Sequence, residues 1–158
     1  MAARYITARC EAAPDVAFKL RVDLTSRQYQ RLAAGLEYTS EALRTLYREW
    51  LTLHDDPAAT DEAKAAMDAQ IVAQVAADQE EWYALLVHVY SGWKYALDTT
   101  LAIKVDMSSV EAVKATLANE DLDYLLLAWL VKAPAMAMDI ELTAMADDAK
   151  KSFGRASS

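Results

Sequence analysis

No stretch limits the fold of this chain more than residues 121–132, Asp-Leu-Asp-Tyr-Leu-Leu-Leu-Ala-Trp-Leu-Val-Lys. Leu122, Leu125, Leu126, Trp129 and Leu130 recur at helical spacing, and Tyr124, Leu127 and Val131 widen the apolar surface. A helix apolar on most sides must be covered by its own core or by a partner. The run falls short of the roughly 18–20 apolar residues that a membrane span requires, and Lys132 interrupts it. Asn119, Glu120 and Asp121 supply a cap and first-turn carboxylates where they favour the helix dipole. Pro134 either kinks this helix or begins a new one, because its ring clashes with the carbonyl four residues back. Beyond it, Met136, Ile140, Leu142 and Met145 keep an amphipathic pattern to about Lys150, and residues 151–158 read as a flexible tail.

The elements that surround this central helix follow from the same reading. Val16, Phe18, Leu20, Val22 and Leu24 alternate with polar or small residues, the period of a strand with one buried face. Residues 4–10 form a weaker strand, and the stretch around Pro14 is the hairpin loop. Thr25 and Gln28 have capping-box spacing. A stripe from Tyr29 to Trp50 follows, as one helix to about Leu53 or as two pieces broken near Gly35 and recapped by Thr39 or Ser40. Thr60, Asp61 and Glu62 open a long helix, with Ser91-Gly92 its weak point. Its alanine-rich first half is expected to project beyond the core, and its aromatic second half to pack well. Residues 101–107 alternate as a third strand, with an extended loop as the alternative. Ser108 and Glu111 form a further capping box over a short helix through Val113 and Leu117. The expected fold is therefore mainly α: a single domain over residues 1–158, with an N-terminal β-hairpin (1–24) and a helical bundle (25–150).

Composition excludes several classes. Of 158 residues only three are glycine and three proline, which disfavours a loop-rich or all-β fold. One cysteine, Cys10, rules out an internal disulfide framework and fits a reducing cytoplasm. No basic-then-apolar segment opens the chain, so a cytoplasmic protein is expected. The net charge of −8 is uneven: residues 1–50 carry eight basic and six acidic side chains, the remainder eight and eighteen. That balance disfavours non-specific nucleic-acid binding by the whole domain, and leaves room for a local basic contact in the first third.

Catalytic chemistry is not legible. His54 and His88 lie on different elements, and neither has a glutamate three residues before it, as a di-metal helical bundle requires. Phosphate-binding glycine loops and nucleophile elbows are absent. No metal, cofactor or enzymatic activity is expected. Acid pairs such as Glu80-Glu81 point apart on a helix and read as solvated faces. Arg27/Arg31 and Arg44/Arg48 are i,i+4 pairs, each a small basic patch able to hold phosphate, with a salt-bridged surface the favoured reading. The tryptophans are core in the bland reading and material for a partner groove in the sharper one.

The order of features over residues 85–158 resembles the tail assembly chaperones of long-tailed bacteriophages. It comprises an aromatic helix ending in Ser-Gly-Trp-Lys, a short segment, a capped helix, the Leu-Leu-Leu-Ala-Trp-Leu helix, and a small polar end. The resemblance implies a cytoplasmic, non-enzymatic helper that coats a long helical tape-measure protein and recruits tail-tube subunits. It also implies a longer product made by ribosomal frameshifting, for which Lys150-Lys151 is compatible with a slippery adenine run. The partner-groove residues are then Trp93, Leu122, Leu126 and Trp129, with a homo-oligomer as a further arrangement and no membrane partner. The alternative is a small helical subunit of a CRISPR-effector-type ribonucleoprotein, which would contact nucleic-acid backbone through Arg27, Arg31, Arg44 and Arg48.

Overall fold

The alternating apolar residues of the N-terminus build an antiparallel hairpin in the computed structural model, which describes residues 3–35, 38–92 and 105–156. Strand β1 (Tyr5–Cys10) pairs with β2 (Ala13–Arg21) through Ile6↔Leu20 and Ala8↔Phe18. The loop is shorter than expected. Cys10 pairs with Ala13, so Pro14 lies inside β2, where the register skips between Arg9 and Cys10. A proline has no N–H to give a ladder, and an irregularity is where a strand tolerates one. Phe18, Leu20 and Val22 are buried, as the period-2 pattern requires. The far end of the hairpin is tied by Asp23, which accepts from the Arg21 side chain and from the Arg4 N–H. Those bonds hold its carboxyl well below the usual range.

The two-piece reading of the next region is the one that forms. Helix α1 (Ser26–Ala34) opens with the complete Thr25/Gln28 capping box and ends at Gly35, whose φ of 60° an L side chain rarely adopts. Ser40 then caps α2 (Glu41–Asp55), accepting from the Leu43 N–H at 3.1 Å. Thr60 caps α3 (Asp61–Val89), which runs unbroken until a 3-10 turn at Tyr90–Gly92. The buried residues of α3 all lie in its second half, Asp78, Trp82, Leu85, Leu86 and Val89. Its first half carries no fully buried side chain among the described residues and packs against α2.

Three end positions differ from the sequence reading. Helix α4 (Val110–Leu117) is capped by Ser109 rather than Ser108, whose N–H instead donates to Asp106 Oδ1. Helix α5 (Tyr124–Ala156) starts three residues later than expected. Asp123 Oδ1 accepts from the Leu125 and Leu126 N–H groups, while Asn119 is spent on a turn with Asp121. At its far end α5 continues to Ala156, because Lys150, Lys151 and their neighbours are acceptable helix formers. The third strand falls partly on residues 101–104, outside the described ones. Val105 and Met107 are buried as the alternation implies, but in an extended loop. The Thr116 hydroxyl pins that loop by bonding both the N–H and the carbonyl of Asp106.

Pro134 neither ends α5 nor starts a new helix. It sits fully buried inside it, and without an N–H it cannot serve the carbonyl of Leu130. The hydroxyl of Tyr90 donates to that carbonyl at 2.6 Å, replacing the missing backbone donor. Burial pushes the Tyr90 phenol far up, so it stays protonated and able to donate. The core thus closes around three layers: the inner face of the hairpin, the second half of α3, and α5 from Leu126 to Met138. Among the described residues no helix is long and apolar enough to cross a membrane.

Candidate protein-docking groove

Two periodicities meet where α5 crosses the hairpin. Along α5, Leu126, Leu130, Ala133 and Met138 turn into the core. Sharing Ala133 with them is a second stripe, Leu125, Trp129, Ala133, Met136 and Ile140, spaced by three or four residues. Most of that stripe is in water: Leu125 is 67% exposed, Met136 55% and Ile140 70%. Along β1, Ile6 and Ala8 lean on the core, while Thr7 and Arg9 face out. Between the two elements lies a groove of about 340 Å³, lined by residues 6–9 of β1 and by Trp129, Ala133, Met136 and Ile140 of α5. Trp129 forms its inner wall, tilted on Phe18 with the ring centroids 4.6 Å apart.

The expected groove residues separate on this geometry. Trp129 lines the groove. Leu126 is buried beneath it in the core and unavailable to a partner without unfolding. Leu122 is half-buried and packs on the core ahead of the helix. Trp93 lies outside the described residues. Sequence reasoning did not name Met136 and Ile140 as groove residues, although both continue the Trp129 spacing; they were read only as the continuation of an amphipathic helix. Ile6 and Ala8 were not readable as lining, because only the tertiary fold brings β1 beside α5.

The arginines separate as well. Arg31 is 4% exposed. Its Nη1 donates to the Gly35 carbonyl at 2.9 Å, its Nη2 to the Asp78 carbonyl, and its plane stacks over Tyr38. Burial lowers its pKa, against the opposing pull of Glu81, Tyr38 and Asp78. This side chain is a clasp between α1 and α3 and cannot reach a nucleic-acid backbone. Arg27, Arg44 and Arg48 remain exposed, on two different helices. Four arginines on one face are therefore not what the fold presents.

Elsewhere, Asp78 is buried at the root of the α2–α3 hairpin and takes bonds from Ser40 Oγ and Gln74 Nε2. Lys114 pairs with Glu80, which raises its pKa and ties α4 to α3. Cys10 is a buried free thiol of β1. Among the described residues no three His, Cys, Asp or Glu side chains come together as a metal site would require. What the groove offers chemically is apolar area with a tryptophan wall and one cation, Arg9, at its edge. Compared with known proteins, the chain matches no family model, no curated protein and no solved structure.

Proposed function

We propose that the chain is a non-enzymatic assembly protein that holds the apolar face of a long helical client in the β1–α5 groove. The resemblance of its C-terminal half to tail assembly chaperones implies a client of this kind, the long helical tape-measure protein. The observation that carries the reading is the exposed stripe of α5 running out of the groove, from Trp129 through Met136 to Ile140. Large apolar side chains aligned on a helix beside a groove are the counterpart of an amphipathic client helix, whose anchors fall at i, i+3, i+4 and i+7. Tryptophan walls concentrate binding energy in such interfaces. The net charge of −8 keeps the remaining exterior solvated while the stripe stays apolar. Tail-tube subunits would be recruited to the loaded complex.

The test is site-directed. A photo-crosslinking residue replaces Ile140 in a tagged copy expressed in its native host context. A second copy carries the same residue at Gln79, an exposed position on α3. Crosslinking to one long helical protein from position 140, and not from position 79, is the expected result. Equal crosslinking from both positions, or recovery of RNA with larger subunits in place of a helical client, overturns the reading.

A further inference from the structure

The β1–α5 groove is lined by consecutive residues of one strand, Ile6, Thr7, Ala8 and Arg9. Successive side chains of a strand point to opposite faces, so such a run lines one concavity only along the strand's edge, where its backbone is within reach. The register says which backbone groups lie there. The Val22 N–H donates to the Arg4 carbonyl at 2.9 Å, so by the same alternation Ile6↔Leu20 and Ala8↔Phe18 are the hydrogen-bonded pairs of the hairpin. The N–H and C=O groups of Tyr5, Thr7 and Arg9 therefore point away from β2. Among the described residues the sheet has two strands, and it is β2 that lies against the Tyr90–Gly92 turn. Edges that must stay single are blunted by proline, lysine or a bulge within the exposed run. Residues 5–9 hold no proline and no lysine, and the register skips only after Arg9.

We infer that β1 pairs with β1 of a second copy, antiparallel across a two-fold axis at Thr7, joining two hairpins into a four-stranded sheet. An isologous contact needs a surface complementary to itself, and this edge has one. An axis at Thr7 sets Tyr5 opposite Arg9 of the second copy, Ile6 opposite Ala8, and Thr7 opposite Thr7. Each outward-pointing residue then meets another and exchanges both backbone bonds with it. On the outer face, the Arg9 guanidinium comes to a tyrosine ring that is 39% exposed and already holds Lys19 Nζ at 4.7 Å. The two Arg9 side chains lie at opposite ends of the paired run, so no like charges face each other, and the threonines between them make a favourable cross-strand pair. On the inner face, Ile6 and Ala8 are only half-buried in one copy, and the pairing sets them against each other. An axis at Ile6 or Ala8 would leave an outward-pointing residue unmatched or run into the irregularity after Arg9. This inference goes beyond the client reading and does not rest on it, since it concerns the chain by itself.

The test uses the purified full chain with no client present. Sedimentation equilibrium should show a reversible monomer–dimer equilibrium in the micromolar range. Amide exchange followed by NMR should find the Thr7 and Arg9 N–H groups protected above the dissociation constant and open to exchange on dilution, while Ile6 and Ala8, bonded to β2, stay protected throughout. The Thr7 side chain is exposed, so Thr7→Lys and Thr7→Glu leave the fold intact. Each sets like charges opposite one another at the axis and weakens the dimer by about fivefold or more. Mixing the two variants, one of them isotope-labelled, should restore pairing as a mixed dimer in native mass spectrometry, a rescue that arises only where position 7 meets position 7. A monomer at every concentration, Thr7 and Arg9 amides protected at every dilution, a dimer indifferent to Thr7→Lys, or no preference for the mixed dimer each overturns the proposal. The crosslinking result at Ile140 is independent of all four.

Discussion

The α2–α3 hairpin and the far half of α5 both carry helix away from the core, and they are supported in opposite ways. In the hairpin, Leu46, Trp50 and Leu53 lie half-buried along a seam with Met67, Ile71 and Val75. Trp50 Nε1 closes it by donating to Asp68 at 2.8 Å, and Ser40 and Gln74 fasten its root to Asp78. Past Met138, by contrast, every described side chain of α5 through Ser152 is exposed. An isolated helix of this length is marginal in water, since propagation barely repays nucleation. The hairpin brings its own partner, whereas among the described residues the end of α5 is exposed beyond Asp139, which accepts from the Tyr29 hydroxyl. That difference favours α5 over the hairpin as the docking face of the proposed function.

The comparison breaks most severely at the shared root. Trp82 is 0% exposed where α3 leaves the hairpin and enters the core. Trp82→Ala is expected to cost about 3–5 kcal/mol and to melt both regions in one transition, measured by urea denaturation. Two separate transitions in the unsubstituted protein would show that hairpin and core are uncoupled. Next in size is Ile71→Lys, which places a charge on the hairpin seam. It should cost about 2 kcal/mol in the same assay, with the loss confined to α2 and the first half of α3 in hydrogen exchange.

Tyr90 tests how α5 is built into the core. Tyr90→Phe leaves the Leu130 carbonyl without the donor that Pro134 cannot supply, at an expected cost of about 1–2 kcal/mol. In a Pro134→Ala background the helix regains its own N–H, and the same Tyr90→Phe substitution should cost less. A double-mutant cycle with no coupling between the two positions would disprove this replacement of a backbone bond by a side chain.

This pair also shows where the sequence was legible. The proline, its missing N–H and the resulting discontinuity were all readable, and they argued for a break. What kept the helix whole is a hydroxyl forty residues away, and no local pattern announces it. The Thr25 box, the Ser40 cap and the alternation of Phe18, Leu20 and Val22 were legible because their partners lie within a few residues. The helix starts at Ser109 and Asp123 were displaced by one to three residues, since neighbouring Ser, Asn and Asp residues compete for each cap. At the groove, a helix apolar on most sides does not declare which stripe the core takes: Trp129 lines the concavity, while Leu126, for which core was the plainer reading, is buried.

A smaller effect comes with pH. The folded state lowers the His88 pKa, through burial first and Arg21 second, so the unfolded chain binds the proton more readily. The stability this contributes is complete above the unfolded value near 6.5 and is lost as pH falls through the folded value. Thermal melts between pH 7.5 and 5.5 should show a slight decline that His88→Gln flattens.

The smallest expected change in stability is the one that separates the two regions best. Ile140→Lys introduces the same charge as Ile71→Lys on an equally apolar residue, but at a position 70% exposed. With no seam to disrupt, it should alter the urea midpoint by less than about 0.5 kcal/mol. If the stripe is nonetheless a docking face, the same substitution removes client binding, because a lysine ammonium opposite an apolar helix must be desolvated without a partner. Stability and binding then part company at Ile140 and move together at Ile71, where loss of the hairpin is a folding defect. An Ile140→Lys protein that is markedly destabilised as an isolated chain would mean that the end of α5 already has a partner within its own fold, and the contrast between the two regions would not hold.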